Sequence, residues 1–184
     1  MDKRIEKTNH QLYEALSRLL KQKPYGKITI EDLLQESKIS RSTFYAHFKT
    51  KDEVLMSITK MIFNHVFSHS LKEEATHDFS KASLFDYGHL ITHVLYHLHD
   101  DKQLIEAILS SESKDIFLRD LREEITPIAT RALDLGILRS RDIPKELRIS
   151  EVTESFVLLM LYWFNNDCTE TPETLTTFFF SMNR

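Results

Sequence analysis

Apolar positions recur along this chain at helical spacing. Ile5, Leu12, Ala15, Leu16 and Leu19 form one stripe. It predicts a first helix ending near Pro24-Tyr25-Gly26, because proline disfavours helix in the residue before it and glycine closes the turn. Thr29 reads as an N-cap with Asp32 three residues on, the arrangement of a capping box, and Ile30, Leu33 and Leu34 give a short apolar face. Ser37-Lys38-Ile39 interrupts that face, and Ser40 caps a second short helix carrying Phe44, Tyr45 and Phe48. Residues 29–48 are therefore predicted to hold two helices of about two turns each on either side of a short turn, the dimensions of a helix-turn-helix.

From Lys51 the stripe lengthens. Val54, Leu55, Ile58, Met61, Ile62 and Val66 predict a helix to about Glu73, followed by a polar stretch over 74–83. Further helices are expected at about 84–98, 101–109, 113–135, 145–166 and 172–182. Gly136 suits the C-cap of the third of these, and Pro144 and Pro172 stand where helices begin. The helix at 145–166 is unlike the others, since Phe156 to Phe164 is apolar all round. A soluble helix of that kind needs cover on every side, supplied by the core on one face and a second subunit on the other, or else by a monomer in which it is the central core helix. Leu159 and Trp163 are read as positions where a charge should yield monomers or insoluble protein.

Composition supports an all-α fold. The 184 residues include only 3 glycines and 4 prolines, too few for the tight turns of sandwiches, barrels or doubly wound sheets. The single cysteine, Cys168, excludes an internal disulfide and a Cys-rich zinc site. The first residues hold no apolar run resembling a signal sequence, and Phe156 to Phe164 is far short of the roughly 20 residues needed to span a bilayer. A soluble, cytoplasmic protein with no membrane partner is expected.

Charge adds an asymmetry. Residues 1–51 carry 11 Lys/Arg against 6 Asp/Glu, whereas residues 52–184 carry 13 against 22. A basic first quarter on an acidic remainder suits a polyanion partner for the first part.

Catalytic chemistry finds little support. Three scattered glycines cannot build a phosphate loop, a dinucleotide site or a nucleophile elbow. Nine histidines stand out, with His89, His93 and His97 at i, i+4, i+8 on one helical face, a spacing able to bind a transition metal. The apolar face of that helix, placed by Leu84, Tyr87, Ile91, Val94, Leu95 and Leu98, puts the three imidazoles opposite, either solvated or facing an internal cavity. His65 and His69 continue the Ile58/Ile62 stripe and should point inward. With no matching carboxylate or cysteine, no resident metal or cofactor is assigned.

The run Ile28-Thr29-Ile30-Glu31-Asp32-Leu33-Leu34, with Ser37 to Val54 and above all Thr43-Phe44-Tyr45-Ala46-His47-Phe48-Lys49-Thr50-Lys51-Asp52-Glu53, resembles the DNA-binding domain of the tetracycline-repressor (TetR) family of bacterial regulators. The clear match covers about residues 5–57, and Tyr162 to Asn166 with the helix start at Pro172 is similar to the C-terminal half of some short members. Two positions depart from the family pattern: Lys38 in the turn, where glycine is common, and Ser42, where glycine or proline is frequent.

The resemblance implies a helix-turn-helix domain at 1–50 and a larger helical effector-binding and dimerisation domain at 51–184. Thr29 and Ser40 present helix N-termini to phosphates. Tyr45, His47 and Lys51 donate to the DNA backbone, while Arg41, Ser42 and Thr43 open the recognition helix toward base edges. The implied partners are double-stranded DNA with a pseudo-palindromic operator, a second copy joined through the last two helices, and a small-molecule effector that releases a repressor. Aromatic candidates for the effector cavity are Phe63, Phe67, Tyr87, Tyr96, Phe117 and Trp163, with His65 beside them. Two other readings stand beside this one: a metal-dependent helical enzyme using the histidines, and a DNA-binding accessory factor with no ligand response.

Overall fold

The computed structural model describes residues 3–68 and 87–184, all of whose regular elements are helices. In chain order they are α1 (Lys3–Leu20), α2 (Ile30–Ser37), α3 (Arg41–His47), α4 (Lys51–Ser68), α5 (Tyr87–Asp100), α6 (Lys102–Leu109), α7 (Lys114–Asp134), α8 (Lys145–Asn165) and α9 (Pro172–Met182), with a short 3-10 turn at Tyr25–Lys27. No helix among the described residues is long and apolar enough to cross a membrane.

The chain forms two compact units, one of residues up to 62 together with 101–117, the other of 63–100 together with 118–184. In the first, α1 packs against α2 and α6. Leu12, Ala15 and Leu16 of α1 are fully buried, as are Leu33 of α2, Phe44 of α3 and Ile105 of α6. The Tyr13 hydroxyl donates to Asp101 at 2.6 Å, tying α1 to the start of α6, and burial followed by that carboxylate pushes its pKa up.

The turn between α2 and α3 runs through Lys38 in the left-handed region, at φ 58° and ψ 25°. A side chain there costs roughly 1–2 kcal/mol relative to glycine's freedom, a cost this turn carries with lysine in place. Helix α7 continues through Pro127, which offers no N–H to the helical ladder.

In the second unit α9 packs against both α5 and α8. A polar seam fixes the register of α5 on α9: the Thr92 and Thr176 hydroxyls lie 2.8 Å apart, and the Tyr96 hydroxyl donates to Glu173 at 2.5 Å. The link from α8 to α9 turns sharply with no glycine, through Asp167 and Cys168 at φ 55° and 53°. It is held by the Trp163 indole donating to the Glu170 carbonyl at 2.9 Å.

Two expectations are revised. His93 and His97 are buried, 3% and 7% exposed, with ring centroids 4.4 Å apart, which removes the solvated alternative and leaves the enclosed one. Helix α5 is enclosed over most of its circumference, and an apolar face deduced from its aliphatic residues underestimates how much is covered. The side chain of His89, like those of His65 and His69, lies outside the described residues. Second, Leu159 and Trp163 belong to the chain's own core, at 4% and 0% exposure, whereas Leu158 and Tyr162 of α8, with Phe178 and Met182 of α9, are exposed. The segment is apolar all round as read, but its outward face is one position away from the predicted one.

At the far end of α8 the Arg148 guanidinium is buried at 2% exposure. Its Nε donates to the Arg139 carbonyl at 3.1 Å and its Nη2 to the Asn183 carbonyl at 2.7 Å, while Nη1 meets Glu151 at 2.8 Å. One cation thus ties the segment before α8 and the end of α9 to α8. Replacing Arg148 with alanine strands those two carbonyls. At roughly 1.5 kcal/mol for each charge-assisted bond, the loss is about 3 kcal/mol. Urea unfolding should show a midpoint shifted by that amount, with the helical circular-dichroism signal retained below the transition. A midpoint equal to the wild type's would show the buried guanidinium to be dispensable.

Candidate nucleic-acid interface

The two short helices are terminated by side chains rather than by length. Thr29, at φ −104° and ψ 164°, accepts from the Asp32 amide through Oγ1 at 3.1 Å, and the Asp32 carboxylate accepts from the Thr29 amide at 2.8 Å. The box is reciprocal. Lys23 beside the carboxylate, followed by the two bonds from Thr29, holds the Asp32 pKa down to about 2, so the box keeps its charge at any physiological pH. At α3, Ser40 accepts from the Thr43 amide at 3.1 Å, and its hydroxyl lies 3.0 Å from that of Ser42 and 2.7 Å from that of Thr43.

Helix α3 then sorts its residues by face. Phe44 and Phe48 point inward, their rings 5.8 Å apart, while Arg41, Ser42, Thr43, Tyr45 and His47 are exposed, as are Thr29 and Ser40. Two turns of helix would not persist alone in water. The inward phenylalanines hold this one against its unit and leave the other side chains of the helix outward.

Lys51 stands apart from that set. Its ammonium donates to the Tyr25 and Ile28 carbonyls at 3.0 Å each and sits 4.4 Å above the Tyr25 ring. The Tyr25 hydroxyl in turn donates to Asp52 at 2.7 Å. Burial, then Asp52, pushes that phenol's pKa well up, so it stays protonated as the donor. Two of the three ammonium protons are therefore engaged within the protein. Spacing could not reveal this, because the acceptors are backbone carbonyls more than 20 residues earlier in the chain.

A second contact was also invisible to pattern reading: the Arg41 guanidinium forms an ion pair with the Glu31 carboxylate. Both side chains are more than half exposed.

The candidate effector residues divide. The side chains of Phe63, His65, Phe67 and Tyr87 lie outside the described residues. Phe117 is buried in the first unit. Trp163 is wholly buried in the second, stacked on His99 with centroids 5.6 Å apart, and its indole N–H is engaged at Glu170. Tyr96 is half-buried, its hydroxyl on Glu173. Among the described residues no three histidine, cysteine or acidic side chains come together as a metal ion would need.

Two capped helices joined by a left-handed turn, the second burying its aromatic face and exposing its N-terminal polar one, define a helix-turn-helix protein. Residues 12–58 match the family described as "Bacterial regulatory proteins, tetR family", and residues 86–184 match "Transcriptional regulator C-terminal region". The chain belongs to the TetR family of bacterial transcriptional regulators.

It is 25% identical over 184 residues to the "Uncharacterized HTH-type transcriptional regulator YxbF" of Bacillus subtilis (strain 168), a match covering 95% of this chain and 44% of that longer protein. Its fold is similar to a TetR transcriptional regulator from Streptococcus agalactiae 2603V, with TM-score 0.67, 23% identity, and coverage of 100% and 97% of the two chains. It is also similar to the dihydroxyacetone kinase operon activator DhaS, with TM-score 0.69, 14% identity, and coverage of 95% and 93%. The family is one of transcriptional regulators, which sets aside the metal-dependent enzyme reading.

The Lys51 geometry generates its own prediction. Lys51→Met removes both carbonyl bonds while keeping most of the side-chain volume, and should lower stability by about 2 kcal/mol in urea unfolding. A variant as stable as the wild type would leave the ammonium with no structural part.

Proposed function

We propose that this chain binds double-stranded DNA as a homodimer on a pseudo-palindromic operator, and that a small-molecule effector taken up by the helices of 51–184 releases it. The observation that carries the reading is the exposure of Thr29, Ser40, Arg41, Ser42, Thr43, Tyr45 and His47 around two capped helices joined by a left-handed turn. In the proposed complex α3 enters the major groove by its N-terminal end, with Arg41 and Thr43 on base edges and Tyr45 and His47 on phosphates. Lys51 adds its remaining N–H to a phosphate while holding the first turn of α4. Residues 1–50 carry the reading surface, and 51–184 carry dimerisation and effector uptake.

The exposed Leu158, Tyr162, Phe178 and Met182 support a self-complementary interface on α8 and α9. Two heads must stand roughly 34–36 Å apart, one DNA turn, to engage both half-sites. An effector that alters this separation by a few ångströms releases one of them. The aromatic candidates Phe63, Phe67, Tyr87 and Tyr96, with His65, are the positions to vary in locating the effector. The fold neighbour named as an operon activator supports treating the sign of control as a property of the operator's place at the promoter rather than of the fold.

The dimer is tested on its outward positions. Leu158→Glu or Tyr162→Glu should sediment as a monomer of about 21.7 kDa, against twice that for the wild type. A monomeric wild type at micromolar concentration would refute it.

The DNA reading is tested with a duplex selected from a random pool by the wild-type protein, set against its scrambled counterpart. Arg41→Ala should cost roughly 1–3 kcal/mol per half-site more on the selected duplex than on the scrambled one. An equal loss on both makes Arg41 a phosphate contact and leaves specificity to Thr43, Ser42 or DNA shape.

A further inference from the structure

Glu31 is the second residue of α2 and Arg41 the first of α3, so their ion pair bridges the openings of the two helices that form the proposed reading surface. The other acids of residues 29–53 are held elsewhere: Asp32 by Lys23 and Thr29, Glu36 by Arg18, Asp52 by Tyr25, and Glu53 by the Lys49 amide. Glu31 alone among them is committed to the recognition helix. An exposed pair of this kind contributes little to folding stability, so its place calls for another account.

Against a phosphate, Arg41 gains one partner, but Glu31 is left unpaired beside a line of negative charge. Against base edges both members can be satisfied together. Arg41 donates two bonds to guanine O6 and N7, and Glu31 accepts from the amino group of a cytosine or adenine. The pair is therefore easy to exchange for the right base edges and costly to exchange for backbone alone.

We propose that Glu31 is a specificity-determining residue: it holds the Arg41 guanidinium away from phosphates and releases it only to a base pair that satisfies both side chains. This rests on the DNA-binding reading above and adds to it a coupled selection of a guanine and a neighbouring amino-bearing base. Glu31 acts by suppressing binding to other sequences, a role that pattern reading assigned to no residue.

The experiment is a double-mutant cycle on the full-length dimer, using wild type, Glu31→Gln, Arg41→Ala and the double variant. Each is titrated with the selected and the scrambled duplex across a salt series. Glu31→Gln, alone, should tighten binding to the scrambled duplex and steepen its salt dependence by about 0.9 in the log–log slope for each freed arginine. The ratio of affinities, selected over scrambled, should fall about fivefold or more per half-site. In the Arg41→Ala background the same substitution should lower the ratio much less, since only the amino-group contact of Glu31 is then lost and no arginine is freed. Thermal unfolding of Glu31→Gln should match the wild type, which separates the effect from a damaged head.

A ratio unchanged by Glu31→Gln overturns the proposal and makes the carboxylate a bulk charge only. A ratio lowered equally with and without Arg41 also overturns it, since Glu31 then reads a base by itself. A wild-type dimer that holds both duplexes equally refutes the base-reading role on which the proposal stands, whereas a discriminating wild type with an indifferent Glu31→Gln refutes the coupling alone.

Discussion

The Lys51 ammonium donates from the first turn of α4 to the Tyr25 and Ile28 carbonyls, and so closes a loop of chain containing both short helices. Everything proposed for DNA depends on that closure. Helices α2 and α3 have 8 and 7 residues, below the length at which a helix persists in water, so their geometry must come from tertiary contacts. Phe44 and Phe48 supply the apolar part and Lys51 the polar part, with the Tyr25 ring under the cation and Asp52 holding the Tyr25 hydroxyl. A side chain expected to touch DNA is thus also one that closes the stretch of chain in which the recognition helix lies.

The helices were legible in the sequence because their ends are marked by chemistry that acts locally. Thr29, Ser40, Gly136 and Pro172 each control a boundary through a bond or a torsion within a few residues, and each boundary falls where the pattern placed it. What the pattern left open or misplaced depends on distant partners. The row His93/His97 is covered by other elements, and no periodicity within α5 can count them. On α8 successive residues are about 100° apart, so a reading uncertain by one position exchanges Leu158 for Leu159 and reverses inside and outside. Lys51 shows the same limit in the candidate site: its exposure, charge and place in the motif suggest a phosphate ligand, while its acceptors are backbone oxygens that carry no sequence signature.

The second unit solves a related problem with polar groups inside an apolar body. Helix α9 is rich in phenylalanine and threonine, and apolar contact alone would let it slide along α5. The Thr92–Thr176 and Tyr96–Glu173 contacts join the two helices at matched positions, although each threonine hydroxyl also bonds to a carbonyl of its own helix, at Gly88 and Pro172. Arg148 does the same at the other end of α9 by holding the Asn183 carbonyl. With both ends registered, Phe178 and Met182 are held on the outer face together with Leu158 and Tyr162. A surface offered to a second copy needs that fixity, because a two-fold interface must present the same patch twice.

The charge asymmetry that first pointed to a polyanion has to be reread in this light. The excess of cations in residues 1–51 is not all available to DNA. Arg18 is engaged by Glu14 and Glu36, Lys23 by Asp32, Arg41 by Glu31, and Lys51 by backbone carbonyls. Lys27, Lys38 and Lys49 stand exposed with no ion-pair partner among the described residues. Undirected attraction to phosphates rises with the number of uncommitted cations and carries no sequence information. A head that commits several of its cations internally weakens that attraction. It leaves a larger share of its affinity to contacts that only particular base pairs can satisfy. Net charge therefore points to the segment suited to a polyanion, and the pairing of that charge within it bears on how much undirected attraction remains.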